Sequence, residues 1–217
     1  MFESYSLDNR YSVDDLSKVK QLILADSVTK EFKQNFEGPF HNKIISRRYV
    51  FDWNQHVEVS EIIKNGFPDE VKNKIIVDHC YLLQSFAPYE IHCDYNWVKC
   101  LDNEEPYYFV VIPLETVNAQ TVVLNQNGAY THWVDYKQEH DPLAESDQMS
   151  VDEYKKYFSH TWEHERPYVS IHKVFDWKLG SIFLGDIKRF HCSNNFLEHG
   201  VTQKECIILF SKKNLND

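Results

Sequence analysis

Apolar positions recur at two different spacings along this chain, and the change of spacing divides it. Near the N-terminus Val13, Leu16, Val19, Leu22 and Ile23 keep the three- and four-residue rhythm of a helix. Ser12, three residues before Asp15, reads as a capping box, so the pattern predicts a helix over about 13–25. Gly38-Pro39 interrupts the pattern. Ile44–Trp53 then reads as a strand, and Val57–Lys64 as a short helix stopped by Asn65-Gly66 and Pro68. From Lys74 the texture changes. Ile75–Phe86, Tyr107–Leu114, Thr121–Leu124, Val169–Trp177, Ser181–Leu184 and Cys206–Phe210 are short β-branched or aromatic runs between polar turns, the signature of strands.

One stretch breaks the β rhythm. Residues 125–167 form a polar, aromatic-studded insert whose Val151–Phe158 part looks helical. Between Asp135 and Glu165 nine acids face three lysines, so more than half of the net charge of −10 is concentrated there. An insert of this length inside a compact β body is usually a lid or a binding loop. We therefore expect it to border the mouth of a cavity and to set substrate choice. Its aromatic residues, Trp133, Tyr136, Tyr154, Tyr157, Phe158 and Trp162, either close over a ligand or pack the insert's own small core.

The architecture these patterns predict is mainly β with flanking helices, a double-stranded β-helix or jelly roll of the cupin-like kind. We read residues 1–217 as one domain, with 1–73 as an N-terminal helical and strand support region and 74–211 as the jelly-roll core carrying insert 125–167.

Composition narrows the function. The net charge of −10 disfavours a phosphate-binding surface, and hence nucleic acid as partner, because such affinity rests on cations. Six glycines leave little room for glycine-loop chemistry; Gly180 and Gly185 have P-loop spacing but are followed by Asp186. The longest apolar run, Tyr107–Leu114, has eight residues, too short to span a membrane. The opening MFESYSLDNR lacks a signal-peptide pattern, and the five cysteines contain no CxxC pair, so a cytoplasmic, reducing setting is expected.

Three residues carry the strongest chemistry. In PYEIHCD, alternation along an extended segment puts His92 and Asp94 on one side and Cys93 on the other. An imidazole and a carboxylate converging this way supply two adjacent ligands for a divalent metal. His191 in RFHCS, after Ser181–Leu184 and before the last strand, is the candidate third ligand. Two histidines and one carboxylate on one face leave coordination positions open for small molecules. Lys204 opens the last strand and shares its face with Cys206, Ile208 and Phe210, where a lysine needs a partner such as an anionic ligand.

These residues resemble the iron(II)/2-oxoglutarate-dependent oxygenase superfamily: HCD at 92–94, His191 after GSIFLGDIKRF, and KECIILF from Lys204. The resemblance covers about 74–211. It implies a double-stranded β-helix and Fe(II) held by His92, Asp94 and His191. It also implies that Lys204 pairs with the distal carboxylate of the cosubstrate, 2-oxoglutarate. Tyr81, on the strand before the motif, is where relatives often place a hydroxyl against the same carboxylate; it reads equally as a core tyrosine. Thr121 is a weaker candidate of the same kind. Lys204 stands where many relatives use arginine, a point charge in place of a bidentate fork. The implied activity is hydroxylation of an organic substrate, a small molecule or a peptidyl side chain. The alternatives are a non-catalytic cupin-like protein that binds a metal or small ligand, and an interaction domain whose histidines lie far apart.

Rival sites are weaker. His160 and His164 have zinc-ligand spacing on an expected helix, but HTWEH lacks the HExxH order, so a solvated helix face is the better reading. His199 precedes Lys204 too closely to rank with His191. Cys93 and Cys192 are turned away from their ligand neighbours by alternation and read as core cysteines. No GxSxG elbow is present for serine chemistry.

Overall fold

The computed structural model describes residues 3–34, 40–94, 104–128 and 132–214. Gly38-Pro39 and Cys100 lie outside them. Among these described residues ten strands form two sheets: β1 (Tyr5–Leu7), β2 (Val28–Lys33), β3 (Ile44–Val50), β4 (Ile75–Ser85), β5 (Glu104–Pro113), β6 (Gln120–Asn127), β7 (Ile171–Asp176), β8 (Ile182–Asp186), β9 (Arg189–Ser193) and β10 (Lys204–Asn214). The larger sheet runs β1-β8-β5-β10-β4-β3-β2 and the smaller β7-β6-β9, with every pairing antiparallel. Two such sheets face to face make the jelly roll.

The alternation of side chains assigns three cores. Between the sheets lie Tyr81 and Leu83 of β4, Phe109 and Val111 of β5, Val123 of β6, Phe183 of β8 and Cys206 of β10. Their neighbours in sequence, such as Leu82, Val110, Leu184 and Ile207, point outward and are covered by helices α1 (Val13–Asp26) and α2 (Val57–Gly66), with Val71 of the short α3 (Asp69–Lys72) in the same core. Helix α1 starts where expected: the Ser12 hydroxyl accepts from the Asp15 amide at 3.0 Å, satisfying one of the helix's free N–H groups. Leu16, Val19 and Ile23 are its buried stripe, while Val13 faces solvent.

The described residues of the insert pack mostly on the outer face of the smaller sheet rather than over the cavity. Val122 and Leu124 of β6 and Phe190 and Cys192 of β9 point out of the smaller sheet, and an apolar face of that size must be covered. Helices α4 (Trp133–Glu139) and α5 (Val151–Phe158) cover it, contributing Trp133, Tyr154 and Phe158 to a third core. Of its described residues, His132 and Trp133 line the cavity between the sheets. The insert's aromatics thus mostly pack its own core, with Trp162 exposed.

Three strands depart from the predicted set: β1, β2 and β9. β2 (VTKEFK) is largely exposed and carries three charges, and β9 (RFHCS) has no β-branched residue, so neither reads as an apolar strand run. The strand expected to reach Trp53 ends at Val50, where Asp52 takes over as a turn residue and its Oδ1 accepts from the Asn54 amide. Nor do His160 and His164 share a helix: α5 stops at Phe158, and 163–168 is a 3₁₀ turn containing Pro167. His164 is exposed, whereas His160 is half-buried with Nε2 3.2 Å from the Tyr89 carbonyl. His199, in the 3₁₀ turn 196–199, is exposed.

Candidate metal centre

The position of His191 on β9 decides the site. Its amide donates to the His92 carbonyl at 2.8 Å, and the His92 amide donates to the His191 carbonyl at 3.0 Å. This isolated antiparallel bridge clips the segment after β4 onto the edge of the smaller sheet. Paired residues in such a bridge project to the same side, so the two imidazoles lie together with ring centroids 4.4 Å apart. The segment bearing His92 and Asp94 is therefore a bridged loop rather than a strand, yet it presents both residues inward.

Asp94 completes the group. Its Oδ2 is 3.0 Å from His191 Nε2 and its Oδ1 is 3.9 Å from His92 Nε2. One ligand atom from each residue lies within 4.8 Å of the others, and no other such trio occurs among the described residues. The donor set suits a divalent metal on chemical grounds. A carbonyl only accepts, so His92 Nδ1–H donates to Glu90 O at 2.7 Å and His191 Nδ1–H donates to Arg189 O at 3.1 Å. In neutral imidazoles this leaves both Nε2 lone pairs aimed at the centre, the tautomer a metal ligand needs. Burial pushes His92 down to about 4, so the ring is neutral at physiological pH. Burial also acts to raise Asp94, but His191, His92 and Arg48 outweigh it and hold the carboxyl below its usual range. Phe109 stacks on His191 with centroids 4.1 Å apart, fixing the ring from its face.

These residues open into a cavity of about 400 Å³ between the two sheets. Lys204, Tyr81 and Thr121 all line it. Lys204 is buried; its Nζ donates to Ser193 Oγ at 2.6 Å and lies 3.9 Å from the centroid of Trp177. Burial pushes its ammonium down to about 7. Thr121 accepts from Trp177 Nε1 at 3.1 Å, so it fixes the ring that faces Lys204. Tyr81 is buried and pairs with Ile208, four residues along β10 from Lys204. Burial raises its phenol well above the ordinary value. Cys206 and Cys192 are buried thiols raised by burial, Cys206 to about 12, and so inert as ligands. Cys93 donates to the Ile187 carbonyl at 3.2 Å.

The sequence reading missed Arg48, Ser193, Trp177 and Phe109 as site residues. Arg48 was within reach of it: alternation on 44–53 puts Ser46, Arg48 and Val50 on one face. Their partners Ser85, Leu83 and Tyr81 all line the cavity. The guanidinium sits 4.0 Å from the Phe32 centroid and 5.0 Å from that of Tyr81, with Nη2 3.5 Å from Tyr89 Oη.

No family model and no curated protein sequence matches the chain. Solved structures do. The non-heme α-ketoglutarate-dependent carbocyclase SnoK from nogalamycin biosynthesis aligns with a TM-score of 0.58 at 10% identity, over 97% of this chain and 79% of that one. The epimerase SnoN, in complex with Fe3+, α-ketoglutarate and nogalamycin RO, gives 0.58 at 7% identity, over 97% and 78%. HygX from Streptomyces hygroscopicus, with nickel, 2-oxoglutarate and hygromycin B bound, gives 0.54 at 12% identity, over 97% and 82%. At these identities the likeness is one of fold. The fold is the double-stranded β-helix on which 2-oxoglutarate/Fe(II) oxygenases are built.

No described helix is long and apolar enough to cross a membrane.

Proposed function

We propose that this protein is an iron(II)- and 2-oxoglutarate-dependent oxygenase that hydroxylates an organic substrate, a small molecule or a peptidyl side chain. The observation that carries this reading is the convergence of His92, Asp94 and His191, with both Nδ1 atoms committed to carbonyls, inside a double-stranded β-helix. His92, Asp94 and His191 would hold the iron. When bound, iron and 2-oxoglutarate supply the oxidising power: dioxygen is consumed as 2-oxoglutarate becomes succinate and carbon dioxide, and one oxygen atom passes to the substrate.

The chain's own part is placement and exclusion of water. Lys204 would pair with the distal carboxylate of 2-oxoglutarate. Its Nζ touches Ser193, two residues from His191 on the same strand face, a spacing of about 7 Å that a five-carbon diacid can bridge. Trp177, held by Thr121, walls that end. Tyr81 would lie on the cavity wall facing the bound cosubstrate. We read the chain as one domain, in which 1–73 supports the core at 74–211. The buried thiols of Cys80, Cys192 and Cys206, none of them in a disulfide, support a reducing, cytoplasmic setting.

The test is an anaerobic spectral titration with iron(II) and 2-oxoglutarate, followed by succinate assay over a substrate panel. Succinate release that requires both, and rises with one substrate, supports the oxygenase reading. Metal binding with no succinate under any condition would make the protein a cupin-like binder instead.

A further inference from the structure

We propose that His160, from the insert, is a positioning residue for the metal ligand His92. The inference rests on the metal-centre reading and deepens it, since it gives the insert a hold on the metal. Its first support is how the ligand loop is anchored. Tyr89, Glu90 and Ile91 belong to no strand or helix. Upstream, the Phe86 amide donates to the Ile45 carbonyl at 2.8 Å; downstream, His92 is clipped to His191. Between these points, among the described residues, the backbone group held from outside the loop is the Tyr89 carbonyl. It accepts from His160 Nε2–H at 3.2 Å. The Tyr89 hydroxyl on Ser46 and the Glu90 carboxylate on Gln34 hold the far ends of rotatable side chains and leave the peptide planes free.

The second support is the route from that bond to the metal. A peptide unit is planar, so pinning the Tyr89 carbonyl fixes the Tyr89–Glu90 unit. The next carbonyl, that of Glu90, accepts from His92 Nδ1–H at 2.7 Å, and this bond aims Nε2 at the centre. Groups that orient a ligating histidine in this way tune metal affinity. The third support is His160 itself. Its segment is fastened on both sides: Ser159 Oγ donates to Glu198 at 2.8 Å and accepts from Asn195 at 3.1 Å, while Thr161 Oγ1 donates to the Phe158 carbonyl at 2.9 Å. Burial pushes the imidazole down to about 4, so the ring is neutral, and with Nε2 as donor its Nδ1 is a bare acceptor. That Nδ1 is buried without a hydrogen-bond partner, which works against stability. A side chain that only filled this space would serve better apolar, so the use of histidine lies in its Nε2–H.

The test uses the full-length protein with cobalt(II), whose visible absorption and paramagnetically shifted proton signals report on its ligands. His160→Leu should weaken cobalt binding by about 10–100-fold, whereas His160→Gln, whose amide places an N–H near the Nε2 position, should stay within about threefold of wild type. Of the exchangeable ring N–H signals of His92 and His191, one should broaden in His160→Leu while the other persists. In EDTA, the denaturant midpoint of His160→Leu should equal or exceed that of wild type. Unchanged cobalt affinity in His160→Leu overturns the proposal, as does a His160→Gln variant as weak as His160→Leu. A His160→Leu protein that fails to fold, or whose metal-free midpoint falls well below wild type, makes the residue structural and overturns it too. Failure of the metal-centre reading shows separately, as no cobalt binding to the wild type, and takes the proposal with it.

Discussion

Phe109 lies parallel to the His191 ring, and the residue directly across from it on β8 is Gly185. A Cβ at position 185 would sit 2.1 Å from the Phe109 ring, so glycine is what lets that ring lie where it stacks on the histidine. The run GSIFLGD thus serves the metal centre through close packing.

Gly185→Ala should therefore displace Phe109 against His191. We expect a loss of about 1–3 kcal/mol in stability from overpacking, together with weaker metal affinity. Chemical denaturation and nickel titration of the variant check both. Unchanged nickel affinity would show that the stacking does not hold the histidine.

The triad itself is tested by metal binding. His92→Ala, Asp94→Ala and His191→Ala should each weaken nickel or iron(II) binding by about 100-fold or more, and nickel should raise the melting temperature of the wild type but of none of the variants. Calorimetric titration and thermal melts in EDTA and in nickel give the comparison. Full metal affinity in any one variant would remove that residue from the ligand set.

Lys204 makes 2-oxoglutarate binding depend on pH. Its free-state pKa of about 7 means that the charged form falls away above neutrality. A bound carboxylate favours the charged form, so binding takes up a proton. Affinity should be flat below pH 7 and fall by up to about tenfold per unit above it. Isothermal titration from pH 6 to 9 in buffers of differing ionisation enthalpy reads the proton uptake directly.

The same shift has a stability consequence of opposite sense. Lys204 ionises at about 7 in the folded protein and near 10.5 when exposed, so the unfolded chain holds more protons between those values. Its cost is complete below pH 7 and is relieved as pH rises toward 10.5. Lys204→Met should consequently melt no lower than wild type at pH 6 while losing 2-oxoglutarate binding. A variant that melts much lower at pH 6 would show that the bond to Ser193 outweighs the burial of charge.

The insert's role is checked in its core. Phe158 is fully buried against the outer face of the smaller sheet, so Phe158→Ala should cost about 3–5 kcal/mol, whereas exposed Trp162→Ser should cost little. Replacing 135–165 with a short linker would bare Val122, Leu124 and Phe190, and should abolish folding rather than only substrate coupling. Soluble, folded protein after that replacement would restore the lid.

Much of this molecule was legible in one dimension because the relevant information is local. Apolar spacing marks α1 and the long strands, since burial of one face imposes a period, and the Ser12 cap reflects the needs of the first helical turn. The pair His92 and Asp94 was legible for the same reason, being two residues apart in an extended segment. The third ligand was only nominated by its place near the last strand. What joined it to the others is the reciprocal backbone bond between His92 and His191, residues nearly a hundred positions apart, on a strand without β-branched residues to announce it. Arg48, Trp177 and Phe109 entered the site in the same way, through strand register. The insert illustrates the other direction: its sequence showed aromatic and acidic residues, but which surface they cover depended on the outward face of β6 and β9 needing a lining. Spacing along the chain determined the elements and two ligands; long-range hydrogen-bond pairing between sheets decided which side chains share a cavity, because no local period encodes it.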